Sequence, residues 1–176
     1  MIMNDLPKRK QLRLKHYDYS QNGVYYITIC TYNKQELFGA PVCSHQSRRA
    51  RLSWSLECSR QPYNMIEKWL LELENKFKDV KICKYVIMPD HIHFIVSKTG
   101  DHIGSPLQDI VGWFKTMTSN EYIKCVRDNK YPTFDKAVWQ RGYYEHVIRN
   151  ESDYLTICEY IENNPPKKEL GYKRSL

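Results

Sequence analysis

The segment 85–96, YVIMPDHIHFIV, constrains the fold more than any other part of the chain. Its apolar and β-branched residues predict a core strand spanning 80–96, with a break near Pro89. Because strand side chains alternate between faces, His91 and His93 should project from the same face. Two parallel imidazoles on a rigid strand can hold one metal ion, or they can be core histidines held by hydrogen bonds.

Strand-like and helix-like segments alternate along the rest of the chain. Strands are predicted at 24–31 and 143–148, and helices at 62–77, from an N-cap at Ser105 to about 126, and after a cap at 150–153. The segment 40–61 has weak periodicity and is interpreted as a loop, or a loop with one short strand at 51–56. This order, with short links and no glycine-rich phosphate loop, predicts an α+β fold in which helices pack on a mainly antiparallel sheet.

The length of 176 residues fits one domain. We expect a basic, flexible arm at 1–16 and a single domain at 17–176. No apolar run is long enough to span a membrane, so a soluble, cytoplasmic protein without a membrane partner is expected. The six cysteines include no Cys-x-x-Cys pair, which indicates reduced thiols.

The formal charge of +7 accompanies fourteen tyrosines and four tryptophans. Basic and aromatic surface groups suit nucleic acid, although the same composition occurs in basic proteins that bind none. The candidates for phosphate contacts are the basic arm at 8–15, Arg48, Arg49, Arg51 and a helix face carrying Lys115 and Lys124. Each of them could equally be a solvated surface charge.

The final predicted helix carries a second candidate pair of functional residues. Tyr160 and Asn164 are four residues apart, at the edge of a core-facing stripe, so both can line a cleft over the histidine strand. Tyr160 could also be an ordinary packing residue. The run 163–166, NNPP, could be only a helix stop.

Three motifs in this order resemble the REP-associated tyrosine transposases, which belong to the single-tyrosine HUH transposases of small bacterial insertion sequences. The motifs are VIMPDHIH at 86–93, WQRGYYEHVIRN at 139–150 and YIENNP at 160–165. Together with YDYS at 17–20 and Phe38-Gly39, the resemblance runs from about residue 12 to about 168. The serine- and arginine-rich segment 40–61 departs from the family, in which a strand and the start of a helix are usual.

The resemblance implies a ferredoxin-like or RRM-like HUH endonuclease fold and cleavage of single-stranded DNA beside palindromic hairpins. Tyr160 is then the nucleophile, which forms a 5′-phosphotyrosine intermediate and leaves a free 3′-OH. His91, His93 and Asn164 are the implied ligands of Mg²⁺ or Mn²⁺. Arg141 and His146 lie in the second motif and are candidates for DNA contact, and His146 could instead be a structural strand residue.

Two other interpretations differ in class. A non-cleaving protein that only binds DNA hairpins would be supported by the unusual segment 40–61, but the nucleophile and all three implied ligands are present. A structural metal domain lacks the cysteine ligands that such domains use. The resemblance is compatible with a monomer or a homodimer, and with a nucleoid-associated protein in a bacterial cytoplasm.

Overall fold

A computed structural model describes residue 18 and residues 21–39, 42–43, 61–100 and 105–169. The predicted arm at 1–16 and the optional strand at 51–56 lie outside these residues. No helix in these ranges is both long and apolar enough to cross a membrane.

Five strands form one sheet in the order β2-β3-β4-β1-β5, and every neighbouring pair is antiparallel. The strands are β1 (Gly23–Cys30), β2 (Val42–Cys43), β3 (Val80–Met88), β4 (His91–Lys98) and β5 (Tyr144–Ile148). The predicted α+β class with a mainly antiparallel sheet is therefore confirmed. The two-residue strand β2 lies in the segment 40–61, for which the weak periodicity predicts mostly a loop.

Three α-helices pack on the sheet: α1 (Pro62–Lys76), α2 (Leu107–Arg127) and α3 (Glu151–Glu169). A short 3-10 turn spans Tyr32–Lys34. The predicted N-cap of α2 is wrong by one residue, because Pro106 occupies that position and no side chain caps the helix. Ser105 instead donates its backbone N–H to Asp79 Oδ2 at 3.1 Å, so a partner distant in sequence fixes its position.

The segment predicted as one strand is a hairpin, and its break at Pro89 is a two-residue turn between β3 and β4. Proline cannot adopt the positive φ that tight hairpin turns favour at this position. Backbone hydrogen bonds from residues outside the hairpin hold this turn in place. Thr31 donates its N–H to Asp90 O at 2.9 Å, and Phe38 donates its N–H to Pro89 O at 3.1 Å.

The sheet separates two clusters of buried side chains. The core face packs against α1 and α2 and is formed by large apolar groups that include Ile27, Phe94 and Phe114. The site face lies under α3, where Tyr26 and Ile95 of the sheet meet Ile161 of the helix. Because alternate residues of β4 point to opposite faces, Phe94 lies on the core face and His93 on the site face.

Helix α3 begins at Glu151, one residue after Asn150, as the sequence predicted. Asn150 Oδ1 accepts the backbone N–H of Asp153 at 2.8 Å, which is an N-cap bond. The helix continues through Pro165 and Pro166 to Glu169, so the interpretation of this run as a helix stop is wrong. Tyr160 and Asn164 consequently lie on one continuous helix.

Candidate active site

The two histidines of β4 lie side by side on the site face, as strand alternation predicted. The ring centroids of His91 and His93 are 4.6 Å apart, with the planes nearly perpendicular. The side chain of His91 is 18% exposed, whereas His93 is only 2% exposed. The imidazole of His91 is therefore partly accessible to solvent, whereas that of His93 is buried.

The outer histidine is held by the residue that precedes it. His91 Nδ1 lies 2.7 Å from Asp90 Oδ1. An ionised carboxylate can only accept hydrogen bonds, so Nδ1 carries the proton in this contact. The Nε2 atom of a neutral His91 then has the lone pair that a metal ion requires.

The inner histidine is held by two hydroxyl groups from β1. His93 Nδ1 lies 2.7 Å from the Tyr26 hydroxyl and 2.7 Å from Thr28 Oγ1. The Tyr26 ring also stacks on the imidazole, with centroids 5.5 Å apart and planes 19° apart. These contacts, each with a neutral group, fix the orientation of a buried imidazole.

Tyr160 reaches this pair from α3. Its ring centroid lies 5.4 Å from that of His93 and 6.3 Å from that of Tyr26, in edge-on contact with both. Tyr154 lies nearly two turns earlier on α3, where burial raises its pKa to about 12. Both tyrosines pack against the apolar cluster of the site face, and the ring contact with His93 is made by Tyr160.

Asn164 follows Tyr160 by about one helical turn and is half-buried. Its Nδ2 atom is buried and makes no hydrogen bond to any described residue. Rotation of the amide by half a turn exchanges Nδ2 with the carbonyl oxygen, so an oxygen ligand can take this buried position. Within the described ranges no three His, Cys, Asp or Glu side chains gather as a metal site. Two imidazoles and an amide oxygen are nevertheless a donor set that suits a divalent ion.

His146 lies on β5 and binds the start of α3. Its Nε2 atom is 2.9 Å from Asp153 Oδ2. The hydrogen bond from His146 is the main reason that the pKa of Asp153 is lowered. His146 therefore links the strand to the first turn of the tyrosine helix, and a contact with DNA remains a prediction.

Lys115 is in contact with backbone carbonyls. Its Nζ atom donates to Gln140 O at 2.9 Å and Gly142 O at 2.8 Å, with Arg141 O at 3.4 Å. Burial lowers the pKa of Lys115 to about 8. The predicted role in phosphate binding is untested, but these contacts give Lys115 a structural one.

Arg141 is exposed and lines a groove of about 500 Å³ between α2 and the loop before β5. This groove adjoins the helix that packs on the core face, away from Tyr160. Arg48, Arg49 and Arg51 lie outside the described residues, so their predicted DNA contacts remain predictions.

Three residues in contact with the histidines were not predicted as part of the site: Tyr26, Thr28 and Asp90. Asp90 was visible as the residue before the histidine pair. Tyr26 and Thr28 are more than sixty positions from His93 in sequence. Only the antiparallel register of β1 with β4, which pairs Thr28 with His93, brings them together.

Comparison with known proteins identifies the family. The model of the IS200-like transposase family matches residues 25–164, and the chain belongs to that family. The match includes both histidines, Tyr160 and Asn164.

Relatives narrow the assignment, and the predicted resemblance to REP-associated tyrosine transposases is confirmed. An uncharacterized protein of Haemophilus influenzae is 36% identical, with 89% of this chain and 88% of the relative aligned. A second H. influenzae protein, provisionally named a REP-associated tyrosine transposase, is 24% identical over 85% of this chain and 74% of its own length. A solved REP-associated tyrosine transposase bound to a REP hairpin shares the fold, with a TM-score of 0.58, 18% identity and coverage of 89% of this chain and 73% of that one.

Proposed function

We propose that this transposase-family protein cleaves and rejoins single-stranded DNA beside hairpins, through a metal-dependent 5′-phosphotyrosine intermediate. One observation carries the proposal. The rings of Tyr160 and His93, which belong to the same chain, are in edge-on contact, and the His91 ring lies next to that of His93. This contact supports the proposal because it would set the proposed nucleophile beside two proposed nitrogen ligands of the same chain.

Tyr160 is the nucleophile in this proposal. Its hydroxyl oxygen attacks the phosphorus of the scissile phosphodiester and forms a new O–P bond, while the bond from phosphorus to the 3′ oxygen breaks. The phenol proton passes to solvent, and the departing 3′ oxygen takes up a proton to become a free 3′-OH. Reversal by another 3′-OH rejoins DNA without ATP.

His91, His93 and Asn164 would hold the ion, with Mg²⁺ or Mn²⁺ as the expected species. Such an ion, when bound, polarises the scissile phosphate and offsets the charge that develops during attack. The hydrogen bonds of Asp90, Tyr26 and Thr28 keep both imidazoles oriented before the substrate arrives. The amide of Asn164 is on the same helix as the nucleophile, so ligand and nucleophile would move together.

The expected partner is a single strand that carries a REP-like hairpin. The solved relative is described as bound to a REP hairpin, which supports this expectation for a chain of the same fold. Arg141 is an exposed cation in the groove beside α2 and is the described arginine that we assign to phosphate contact. His146 is a lesser candidate, because Asp153 already occupies its Nε2 atom.

The test uses the purified chain with single-stranded hairpin DNA from the flanks of its own gene, labelled at the 5′ or the 3′ end. Denaturing gels with Mg²⁺ or Mn²⁺ should show a protein–DNA adduct that retains the label 3′ of the cut. Tyr160→Phe should give no adduct but bind the same hairpin. Tyr154→Phe is the matched control, because it removes one hydroxyl from the same helix outside the histidine contacts, and it should form the adduct.

A protein that binds the hairpins but forms no adduct with either metal would contradict cleavage. That result would instead favour a non-cleaving hairpin-binding protein derived from a transposase. An adduct that survives in Tyr160→Phe would contradict the assignment of the nucleophile while leaving the reaction intact.

A further inference from the structure

We infer that Asp90 is a positioning residue that fixes the Nδ1–H tautomer of His91 and thereby directs its Nε2 lone pair into the metal site. The inference rests on the proposed function and adds a residue to it. Its basis is the 2.7 Å contact between Asp90 Oδ1 and His91 Nδ1. A carboxylate that accepts a hydrogen bond from Nδ1–H sets both the tautomer and the ring orientation, and it increases the basicity of the opposite nitrogen.

The turn that carries Asp90 is held in place by two other residues, Thr31 and Phe38. The Thr31 N–H donates to Asp90 O at 2.9 Å, and Thr31 Oγ1 lies 3.0 Å from the same oxygen. Phe38 N–H binds the carbonyl of Pro89, the other residue of the turn. Thr31 and Phe38 are completely buried, so the carboxylate is presented from a rigid part of the fold. A surface carboxylate on a mobile loop would not impose a tautomer in this way.

The two histidines differ in the charge of the group that orients them. Two hydroxyls adjoin Nδ1 of His93, and because a hydroxyl can donate or accept, these contacts do not by themselves select a tautomer. The contact of His91 is a carboxylate, which can only accept. Asp90 is therefore the residue that commits His91 to binding through Nε2 before any ion arrives.

The first experiment measures the tautomer directly and needs neither metal nor DNA. Long-range ¹H–¹⁵N spectra of the metal-free protein, at a pH where imidazole is neutral, distinguish Nδ1–H from Nε2–H. His91 of the wild type should be in the Nδ1–H form. In Asp90→Ala the Nε2–H form should become substantially populated, while the His93 signals keep their wild-type pattern. An unchanged His91 tautomer in Asp90→Ala would overturn the inference.

The second experiment measures Mn²⁺ binding by calorimetry. Loss of a side chain that orients a metal ligand typically weakens the affinity about 10- to 100-fold, and we expect that loss in Asp90→Ala. Asp135→Ala, which removes an exposed carboxylate outside the site, is the control for net charge and should bind within about twofold of the wild type. An Asp90→Ala affinity equal to that of this control would overturn the inference.

A second variant and the behaviour of the wild type distinguish failure of the inference from failure to fold or to bind metal. Asp90→Leu is nearly isosteric and also cannot accept a hydrogen bond, so it replaces Asp90→Ala if the shorter side chain prevents folding. A wild type that does not bind Mn²⁺ would contradict the proposed metal dependence, whereas a binding wild type with an unaffected Asp90→Ala would contradict the role of Asp90 alone.

Discussion

The two faces of the sheet are built from different chemistry although they share the same strands. On the core face, Phe94 packs within 6.4 Å of Phe114, centroid to centroid, and both are fully buried. On the site face, the neighbouring residue His93 is almost as deeply buried but contacts hydroxyl groups and an edge-on tyrosine. Because consecutive residues of β4 point to opposite faces, the residues that stabilise the fold and those of the proposed active site lie on different faces of the sheet. Substitutions on the two faces should therefore affect different measurements.

The largest effect should come from Tyr160 on the site face. Tyr160→Phe removes the nucleophile, and the rate of adduct formation should fall about 10³-fold or more. The free energy of unfolding should change by less than about 1 kcal/mol, because the ring and its edge contacts remain. Gel quantification of the adduct and urea unfolding measure the two effects. If Tyr160→Phe instead loses most of its stability, the site face also contributes strongly to the stability of the fold.

A substitution on the core face should have the opposite profile. Phe94→Ala should reduce the free energy of unfolding by about 3–5 kcal/mol, because it removes a fully buried ring and leaves a cavity. Leu155→Ala is the control on α3, where the side chain is 59% exposed, and should stay within about 0.5 kcal/mol. Urea unfolding of both variants is the measurement. Equal losses would contradict the assignment of the core to this face.

The start of the tyrosine helix should show a smaller effect. Asn150→Ala removes the bond from the Asp153 N–H to Asn150 Oδ1 and should destabilise the chain by about 1 kcal/mol. Ser152→Ala, at an exposed position of the same turn, serves as the control and should have little effect. A stability of Asn150→Ala equal to that of the control would mean that the contact between His146 and Asp153 holds the helix start on its own.

The smallest effect concerns Lys115, a polar group on a helix that packs against the core face. Burial lowers its pKa to about 8, although its carbonyl acceptors favour the charged form. Between about pH 8 and 10.5 the unfolded chain therefore binds more protons at this residue than the folded chain does, so stability should rise with pH.

The increase should be below about 1 kcal/mol, since Lys115 is partly exposed and solvent screens its charge. Because other groups titrate in the same range, the measurement is the difference between the wild type and Lys115→Met at about pH 7.5 and 9.5. A difference that does not grow with pH would mean that the carbonyl contacts, rather than burial, control the pKa of Lys115.

Local patterns predicted the elements that carry the site. Alternation in 85–96 placed both histidines on one face, and the side-chain cap at Asn150 placed the start of α3 correctly. The cap at Ser105 failed because Asp79, distant in sequence, binds its backbone N–H. A local motif is reliable only where no partner from elsewhere in the chain competes with it.

The contacts that the sequence did not reveal all depend on sheet register or on loop conformation. Thr28 meets His93 only because β1 and β4 pair in one particular register, and nothing in either segment alone specifies it. Lys115 was a candidate for phosphate binding because its charge is visible in the sequence. Its carbonyl acceptors at 140–142 become apparent only when that loop is folded against α2.

The most direct test of the central claim is to locate the covalent bond. The wild-type adduct with a single-stranded hairpin, digested with nuclease and protease, should give one modified peptide by mass spectrometry, with the nucleotide on Tyr160. Tyr26 and Tyr144 lie on the same face and are the informative alternatives, since their rings are 6.5 Å apart and Tyr26 contacts His93. A nucleotide on either of them, or on Tyr154, would contradict the proposed active site.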